Sequence, residues 1–514
     1  MKKKTAIKVM AAACAFAMAA GSATTVSFAA TTPAKQTLTV TSHSEATYKV
    51  YEIAKAIDVV YDSDGATEKS YTFEVTDDFK AFFNEDKASY GNYSLNDYGE
   101  IVNASGTVVA TMGLDYDKTS YDTSAEAAQL ASYIEKYVEA KGIAGADVSA
   151  EAIEAGYYLV AEQATAGQKS GHIASKPVLV SVTGSAKTIT PKQDQITFEK
   201  KIVENNTDVD KQTVAIGDYV DYKLTTAIPT YAANVDTTKL QFKMEDTLST
   251  GLTFGSGDDH VVAVKVGNTT LAEDTDYTKT VSGQKMTIEL KAATIAAHQG
   301  EAVVVTYDAQ VNEDAVVDST DGNPNAAVLT FTNNAGITQS ADTLEDDTTV
   351  YTYAIKLKKV DANNQTLAGA KFKLTKDTKD GTEIGEYTTG DDGTIDIKGL
   401  DEGTYVLTET EAPDGYAKLT DTITFTIADD DIDGKAVFTV TDSDAVANAK
   451  LTGDVTTYTE NGDGTIDDVM TIINRKGVTL PETGSTGARN LMIAGVAAVA
   501  IGGVVMVCSR KKEN

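Results

Sequence analysis

From Ile196 onward the chain alternates apolar and polar residues with a period of two, in short runs closed by Gly, Asp, Asn or Pro. Such alternation puts successive side chains on opposite faces of a strand, and a sheet with one apolar face must bury it against a second layer. The runs "ITFEKKIV", "DYVDYKLTTAI", "KMTIEL", "EAVVVTYDAQV" and "AAVLTFTNN" therefore predict a β-sandwich over residues 192–350. The runs "YAIKLKKVD", "AKFKLTK", "GTIDIKGL", "GTYVLTETEAPDGY", "DTITFTI", "KAVFTVT" and "VMTIINRK" predict a second, smaller sandwich over residues 351–478. Residues 30–191 read differently. There "SAEAAQLASYIEKYVEAKG" places Leu130, Ile134 and Tyr137 at helical spacing with Gly142 as a stop, while "AGYYLVAEQ" and "PVLVSV" read as strands. The expected fold class is mainly β: tandem immunoglobulin-like sandwiches behind an N-terminal domain of mixed α and β.

Composition narrows the function. Of the 514 residues 42% are hydrophobic and 23% charged, which is the balance of a folded chain. A formal charge of −32 with no basic patch excludes nucleic-acid binding and suits a solvated extracellular surface. There is no Trp, which removes the usual platform for stacking a sugar. The two cysteines, Cys14 and Cys508, lie in terminal apolar segments. Loss of both segments would leave no thiol, and with it no disulfide, thiol catalysis or zinc–thiolate site.

Both ends read as processing signals. Lys2, Lys3, Lys4 and Lys8 precede an apolar run from Val9 to Ala20, and Ser27-Phe28-Ala29 supplies small residues for cleavage after Ala29. Residues 1–29 are thus expected to be a secretory signal peptide. Over residues 480–514, "LPETG" (Leu480, Pro481, Glu482, Thr483, Gly484) precedes an apolar stretch from Leu491 to Cys508 and the basic end "SRKKEN". The apolar stretch is long enough to cross a bilayer, with the basic cluster held in the cytoplasm. This order resembles the cell-wall sorting signal of Gram-positive surface proteins. The resemblance implies that a sortase cuts between Thr483 and Gly484 and holds Thr483 as an acyl-enzyme until an amine takes over. Membrane anchoring is then transient. Losing four lysines with the leader and a net +3 with the tail takes the mature charge from −32 to −39.

In the third region, "IKLKKVDANNQTLAGAKFKL" and "YVLTETEAPDGY" together resemble the collagen-adhesin B-type domain, up to the closing "IINRKGVTLPETG". That family sets a first-strand Lys beside a last-strand Asn with a Glu between them, and the resemblance places these on Lys359, Asn474 and Glu409. The chemistry is coherent. An apolar interior lowers a lysine's pKa and frees its amine, and it raises that of a carboxylic acid, so Glu409 would stay protonated and bond the Asn474 carboxamide. Attack of the amine with loss of ammonia would leave an intramolecular isopeptide bond.

In the middle region "FEKKIV", "MEDTLSTGLTF" and "NPNAAVLTF" resemble the corresponding domain of sortase-assembled backbone pilins, which carries a Lys–Asp–Asn set in a collagen-adhesin A-like sandwich. The set falls on Lys200, Asp246 and Asn325, with Lys201, Glu245 and Asn333 or Asn334 as neighbouring alternatives. Backbone pilins also carry a Tyr-Pro-Lys-Asn motif after the N-terminal domain, whose Lys receives the acyl group of the next subunit. Here "TITPKQDQ" holds the chain's sole Pro-Lys pair, which makes Lys192 the expected acceptor, with Thr190 and Gln193 in place of the Tyr and Asn.

The first domain carries a faint echo of the acidic strand, "GYYLVAEQ" with Glu162, which reads as an ordinary strand residue. "ENGDGTIDD" lacks the first and last ligands of a calcium loop, "ADDDID" reads as an acidic turn, and the four histidines form no metal-ligand spacing. No cofactor motif and no hydrolase constellation are visible. The resemblance implies a non-enzymatic backbone pilin joined through Thr483 to Lys192 of an identical subunit. Its partners would be a pilus-specific sortase, a housekeeping sortase that transfers the fibre to peptidoglycan, and minor pilins. The competing reading is a monomeric wall-anchored adhesin that holds a host or microbial ligand.

Overall fold

The computed structural model describes residues 8–10, 33–41, 46–61, 68–113, 125–148, 152–163, 171–191, 194–231, 236–334, 340–440, 449–452 and 469–476. The chain divides into two compact units. The first comprises Met1–Gln212, Gly217–Asp314 and Asn323–Val350; the second comprises Thr213–Ile216, Ala315–Gly322 and Tyr351–Asn514.

The N-terminal part of the first unit is mixed α and β, as its patterning predicts. Its main sheet runs in the order Lys8–Met10, Glu68–Val75, Tyr48–Tyr61, Gly156–Glu162, Val178–Val182. The helix Ala125–Lys141 buries Leu130, Ile134 and Tyr137 in one cluster with Phe73, Phe79, Phe82 and Leu159. Gly142, at φ 63°, ends it in the left-handed conformation that glycine adopts without a Cβ penalty. A smaller sheet pairs Lys187–Ile189 in parallel with Gln36–Val40.

The rest of the first unit is the larger sandwich. One sheet orders Thr207–Val209, Glu199–Glu204, Tyr219–Ala227, Ala302–Val311, Ala263–Val266 and Thr269–Thr270, with Leu252–Phe254 also on Ala302–Val311. The facing sheet orders Lys211–Thr213, Ser340–Tyr351, Asn323–Asn334, Phe242–Leu248, Lys285–Leu290 and Tyr277–Ser282. Burial alternates along Tyr219–Ala227 and Ala302–Val311, so Val220, Tyr222, Leu224 and Val303, Val305, Tyr307 share the inner face.

The second unit is a smaller sandwich. A four-stranded sheet orders Thr394–Leu400, Tyr353–Asp361, Val469–Asn474 and Ala449–Thr452. A five-stranded sheet orders Glu383–Thr388, Lys371–Lys376, Gly403–Glu411, Ile423–Ala428 and Val437–Val440. Leu357, Phe372, Leu407, Phe425 and Ile472 fill the space between them. Tyr353–Asp361 and Val469–Asn474, the first and last strands of the 353–474 sandwich, lie side by side and parallel, with Lys359 opposite Ile472 and Asp361 opposite Asn474.

Leu130 sits fully buried where the helix meets the N-terminal sheet. Leu130→Ala is expected to remove about 2–5 kcal/mol of that region's stability by leaving a cavity. Denaturant unfolding should show the loss, while the unfolding of the second unit stays unchanged.

Candidate functional site

The 353–474 sandwich buries three polar side chains at one spot. Along "YAIKLKKVD" the parity that buries Tyr353, Ile355 and Leu357 also turns Lys359 inward, to 1% exposure. Asn474, at the end of the parallel neighbour, and Glu409, from the facing sheet, are equally buried. Lys359 Nζ donates to Asn474 Oδ1 at 2.5 Å and reaches the Ile472 carbonyl at 3.4 Å. Asn474 Nδ2 donates to Glu409 Oε1 at 2.9 Å, and Lys359 Nζ lies 3.7 Å from the same oxygen. The second Glu409 oxygen accepts the Leu419 backbone N–H at 2.6 Å, which fixes the carboxyl group over the carboxamide. Desolvation pushes the Lys359 ammonium down from 10.5 to about 8, against the pull of the Glu409 charge. The arrangement brings an amine, an amide and an acid together with water excluded.

A second cluster sits between the sheets of the larger sandwich. Lys200 is completely buried on Glu199–Glu204 and bonds Asp246 of the facing sheet. Asp246 lies opposite Ala327 in the ladder, so Asn325 is its diagonal neighbour on the same face. Tyr307 ties the three together. Lys200 Nζ donates to its hydroxyl at 2.5 Å, the hydroxyl donates to Asp246 Oδ2 at 2.6 Å, and Asn325 Nδ2 donates to the hydroxyl at 3.0 Å. Burial lowers the lysine's pKa, although Asp246 opposes the shift. Burial also drives the Tyr307 phenol well above its ordinary value, so it remains a proton carrier. Lys200 Nζ further stands over the ring of Tyr222, 4.9 Å from its centroid. Asp246 Oδ1 and Asn325 Oδ1 have no hydrogen-bond partner in the described structure.

The neighbouring alternatives go elsewhere. Lys201 pairs with Asp210 at a half-open edge, and Glu245 with Lys243 and Lys285. Asn333 bonds Asp342 and accepts the Ala174 N–H. For Asn334 only the backbone is described. Tyr307 and Tyr222 escaped the sequence reading. The inward parity of Val303, Val305 and Tyr307 in "EAVVVTYDAQV" carried the signal. Glu162 was read as an ordinary strand residue; it is buried, with His172 Nε2 2.8 Å from its Oε1.

Lys192, Leu480, Pro481, Glu482, Thr483, Gly484, Cys14, His43, Cys508, the cleavage region near Ala29, the apolar stretch from Leu491 and the acidic loop 460–468 lie outside the described residues. Among the described residues no helix is long and apolar enough to cross a membrane, and no group of three or more potential metal ligands converges.

Three families match the chain. Residues 216–335 match the Gram-positive pilin backbone subunit 2, Cna-B-like domain; residues 353–442 match the SpaA prealbumin-like fold domain; residues 474–514 match the LPXTG cell wall anchor motif. The B-like description thus falls on the middle region, where the sequence suggested an A-like sandwich. The trypsin-resistant surface T6 protein of Streptococcus pyogenes serotype M6 is 28% identical over 246 residues, covering 44% of this chain and 45% of that protein. The match therefore spans about half the length of that relative. The solved T6 backbone pilin of serotype M6 Streptococcus pyogenes, described as modular with three domains, superposes with a TM-score of 0.55 at 18% identity, covering 88% of this chain and all of that one. The full-length major pilin SpaD from Corynebacterium diphtheriae gives a TM-score of 0.45 at 20% identity, covering 87% of this chain and 98% of that one. The anchor motif assigns the chain to the cell wall of a Gram-positive bacterium.

The lowered Lys359 value has a measurable sign. Its folded pKa, about 8, lies below the unfolded 10.5, so between these values the unfolded chain binds the extra proton and stability rises with pH. In Asn474→Ala, which keeps the amine but offers it no amide, the unfolding midpoint should climb as the pH is raised from 8 toward 10.5. A Lys359→Met, Asn474→Ala double variant should lack that climb.

Proposed function

We propose that this chain, a Gram-positive pilin-family protein with Cna-B-like and prealbumin-like domains and an LPXTG anchor, is the backbone subunit of a covalent surface fibre whose sandwiches are locked by their own isopeptide bonds. The observation that carries the reading is the buried Lys359–Glu409–Asn474 contact, repeated in kind by Lys200, Asp246 and Asn325. In each, the neutral lysine amine attacks the asparagine carboxamide carbon. A C–N bond forms, the bond to Nδ2 breaks, and the acid passes protons so that ammonia leaves. Glu409 serves the first site and Asp246 the second, where Tyr307 bridges amine and acid. Each acid acts once on its own chain, so the protein has no turnover and no cofactor.

Joining subunits is a separate acyl transfer. The sortase thiolate attacks the Thr483 carbonyl, the Gly484 amine leaves with a proton, and the Lys192 amine then displaces the thiolate. A pilus sortase would perform this between identical subunits, and a housekeeping sortase would end the fibre on peptidoglycan. Minor pilins would be joined by the same chemistry.

The placement of the internal bonds explains their use. A Lys359–Asn474 bond would link neighbouring parallel strands separated by 115 residues in sequence, so tension along the fibre would pass through it and spare the intervening sandwich. The middle bond would tie Glu199–Glu204 to Asn323–Asn334 across the two sheets.

Intact mass tests the internal bonds. Residues 30–483 should weigh two ammonias less than their sequence, and Glu409→Ala and Asp246→Ala should each restore one. A wild-type mass equal to the plain sequence would overturn the reading. On cells, boiling in detergent should leave a ladder of covalent polymers that Lys192→Ala abolishes; a wild type without a ladder would be the monomeric adhesin.

A further inference from the structure

The condensation proposed for the larger sandwich gathers negative charge on one atom, Asn325 Oδ1, and that atom has no hydrogen-bond partner among the described residues. In the smaller sandwich the corresponding oxygen, Asn474 Oδ1, accepts from Lys359 Nζ at 2.5 Å. The difference follows from Tyr307. Its single hydroxyl proton goes to Asp246 Oδ2 at 2.6 Å, so it can only accept from the carboxamide, and Asn325 Nδ2 donates to it at 3.0 Å. The carboxamide oxygen is left unbound.

A donor stands on the same wall. Tyr222 is directly opposite Tyr307 in the ladder of Tyr219–Ala227 with Ala302–Val311, and their rings stack with centroids 5.4 Å apart at 18°. Both side chains stand off the inner face of that sheet, so both hydroxyls reach across the core toward the sheet that carries Asp246 and Asn325. Burial raises the Tyr222 phenol well above its ordinary value and the Asp246 charge adds to the rise, while the Asn325 carboxamide pulls the other way. The phenol therefore keeps its proton, and the carboxamide is near enough to be felt. Yet no bond closes between them in the resting arrangement: Tyr222 Oη, Asn325 Oδ1 and Asp246 Oδ1 all lack a partner among the described residues. Three such atoms in one cluster call for an explanation, because a folded core otherwise satisfies its buried polar groups.

We propose that Tyr222 is a catalytic residue of this condensation: its hydroxyl donates to Asn325 Oδ1 as the carbonyl becomes an oxyanion. This role rests on the Lys200–Asn325 bond proposed for the larger sandwich. Lys200 gives a proton to Asp246, and its amine nitrogen attacks Asn325 Cγ. The carbonyl electron pair moves to Oδ1, where the Tyr222 hydroxyl meets it without losing its proton. The pair then returns and the bond to Nδ2 breaks. Asp246 hands its proton to Nδ2 and takes one from the lysine nitrogen, so ammonia leaves. A donor that is engaged only as the charge forms lowers the barrier without stabilising the resting site.

The test follows freshly synthesised residues 30–483 by intact mass over time, with peptide mapping to tell which ammonia has gone. Tyr222→Phe removes only the hydroxyl and keeps the ring, whose centroid lies 4.9 Å from Lys200 Nζ. This variant should close the Lys359–Asn474 bond on the wild-type schedule and the Lys200–Asn325 bond about a hundredfold more slowly. Thr226→Val removes another buried hydroxyl without a partner from the same strand and should close both bonds normally. In Lys200→Met chains, which cannot form the middle bond, adding Tyr222→Phe should leave the unfolding midpoint unchanged or raised, since a hydroxyl bonded to nothing gives the fold no support. Closure of Lys200–Asn325 at the wild-type rate in Tyr222→Phe overturns the proposal. So does a midpoint that falls in the double variant, which would make the hydroxyl a structural group. A wild type that loses the Lys359–Asn474 ammonia but never the second overturns the Lys200–Asn325 bond itself, and the role of Tyr222 with it.

Discussion

A lysine ammonium between two β-sheets is the interaction on which the rest depends. Lys200 and Lys359 are as buried as the phenylalanines beside them, and neither can turn to water without opening its sandwich. An ion placed there loses several kcal/mol of hydration, and its neighbours must return that or the fold must give way. Both sites respond with an acid from the facing sheet. The compensation is incomplete, because desolvation still lowers both lysines. In the proposed condensation an amine held part-way to neutrality would be the reactant, and conversion to an amide bond would remove the charge that the interior tolerates least. Chemistry and stability point the same way.

The two sites solve the geometry differently. At Lys359 the amide is gripped on both sides: its oxygen takes the amine's proton and its nitrogen gives one to Glu409. Leu419 fixes the other carboxyl oxygen, so the acid has little freedom to rotate. In the larger sandwich a phenol stands at the centre, accepting from Lys200 and Asn325 and donating to Asp246. Tyr307 thus links the directly paired amine and acid to the carboxamide, which in the second unit the amine and the acid each contact without an intermediary. Asp246 Oδ1 and Asn325 Oδ1, which have no hydrogen-bond partner among the described residues, would be available to the proposed condensation.

Much of this was legible in the sequence because period-two patterning states which side of a strand faces the core. Lys359 was placed by the resemblance to the collagen-adhesin B-type domain, and its parity with Tyr353, Ile355 and Leu357 agrees; Lys200 was legible from parity alone, by following Ile196 and Phe198. Parity could not pair residues across sheets. Choosing Asp246 over Glu245 required knowing that Glu245 turns outward to Lys243 and Lys285. Tyr307 was missed because an inward tyrosine looks like packing until its hydroxyl finds partners. Glu162 was read as ordinary for a similar reason: its partners arrive from a loop ten residues later and from a distant strand, and neither has a local pattern.

Glu162 and Glu409 then become comparable. Glu162 ends an inner strand and Glu409 lies two residues from the end of another, and each accepts a backbone N–H from the chain that follows, Ser175 in one case and Leu419 in the other. What differs is the third party. Glu409 faces an amine and an amide, which can condense, whereas Glu162 faces an imidazole and a phenol, which cannot. The same device of a buried acid that gathers a loop is therefore reversible in the N-terminal domain and suited to irreversible closure in the sandwiches. A sandwich that carried tension along a fibre would gain from a bond that cannot reopen.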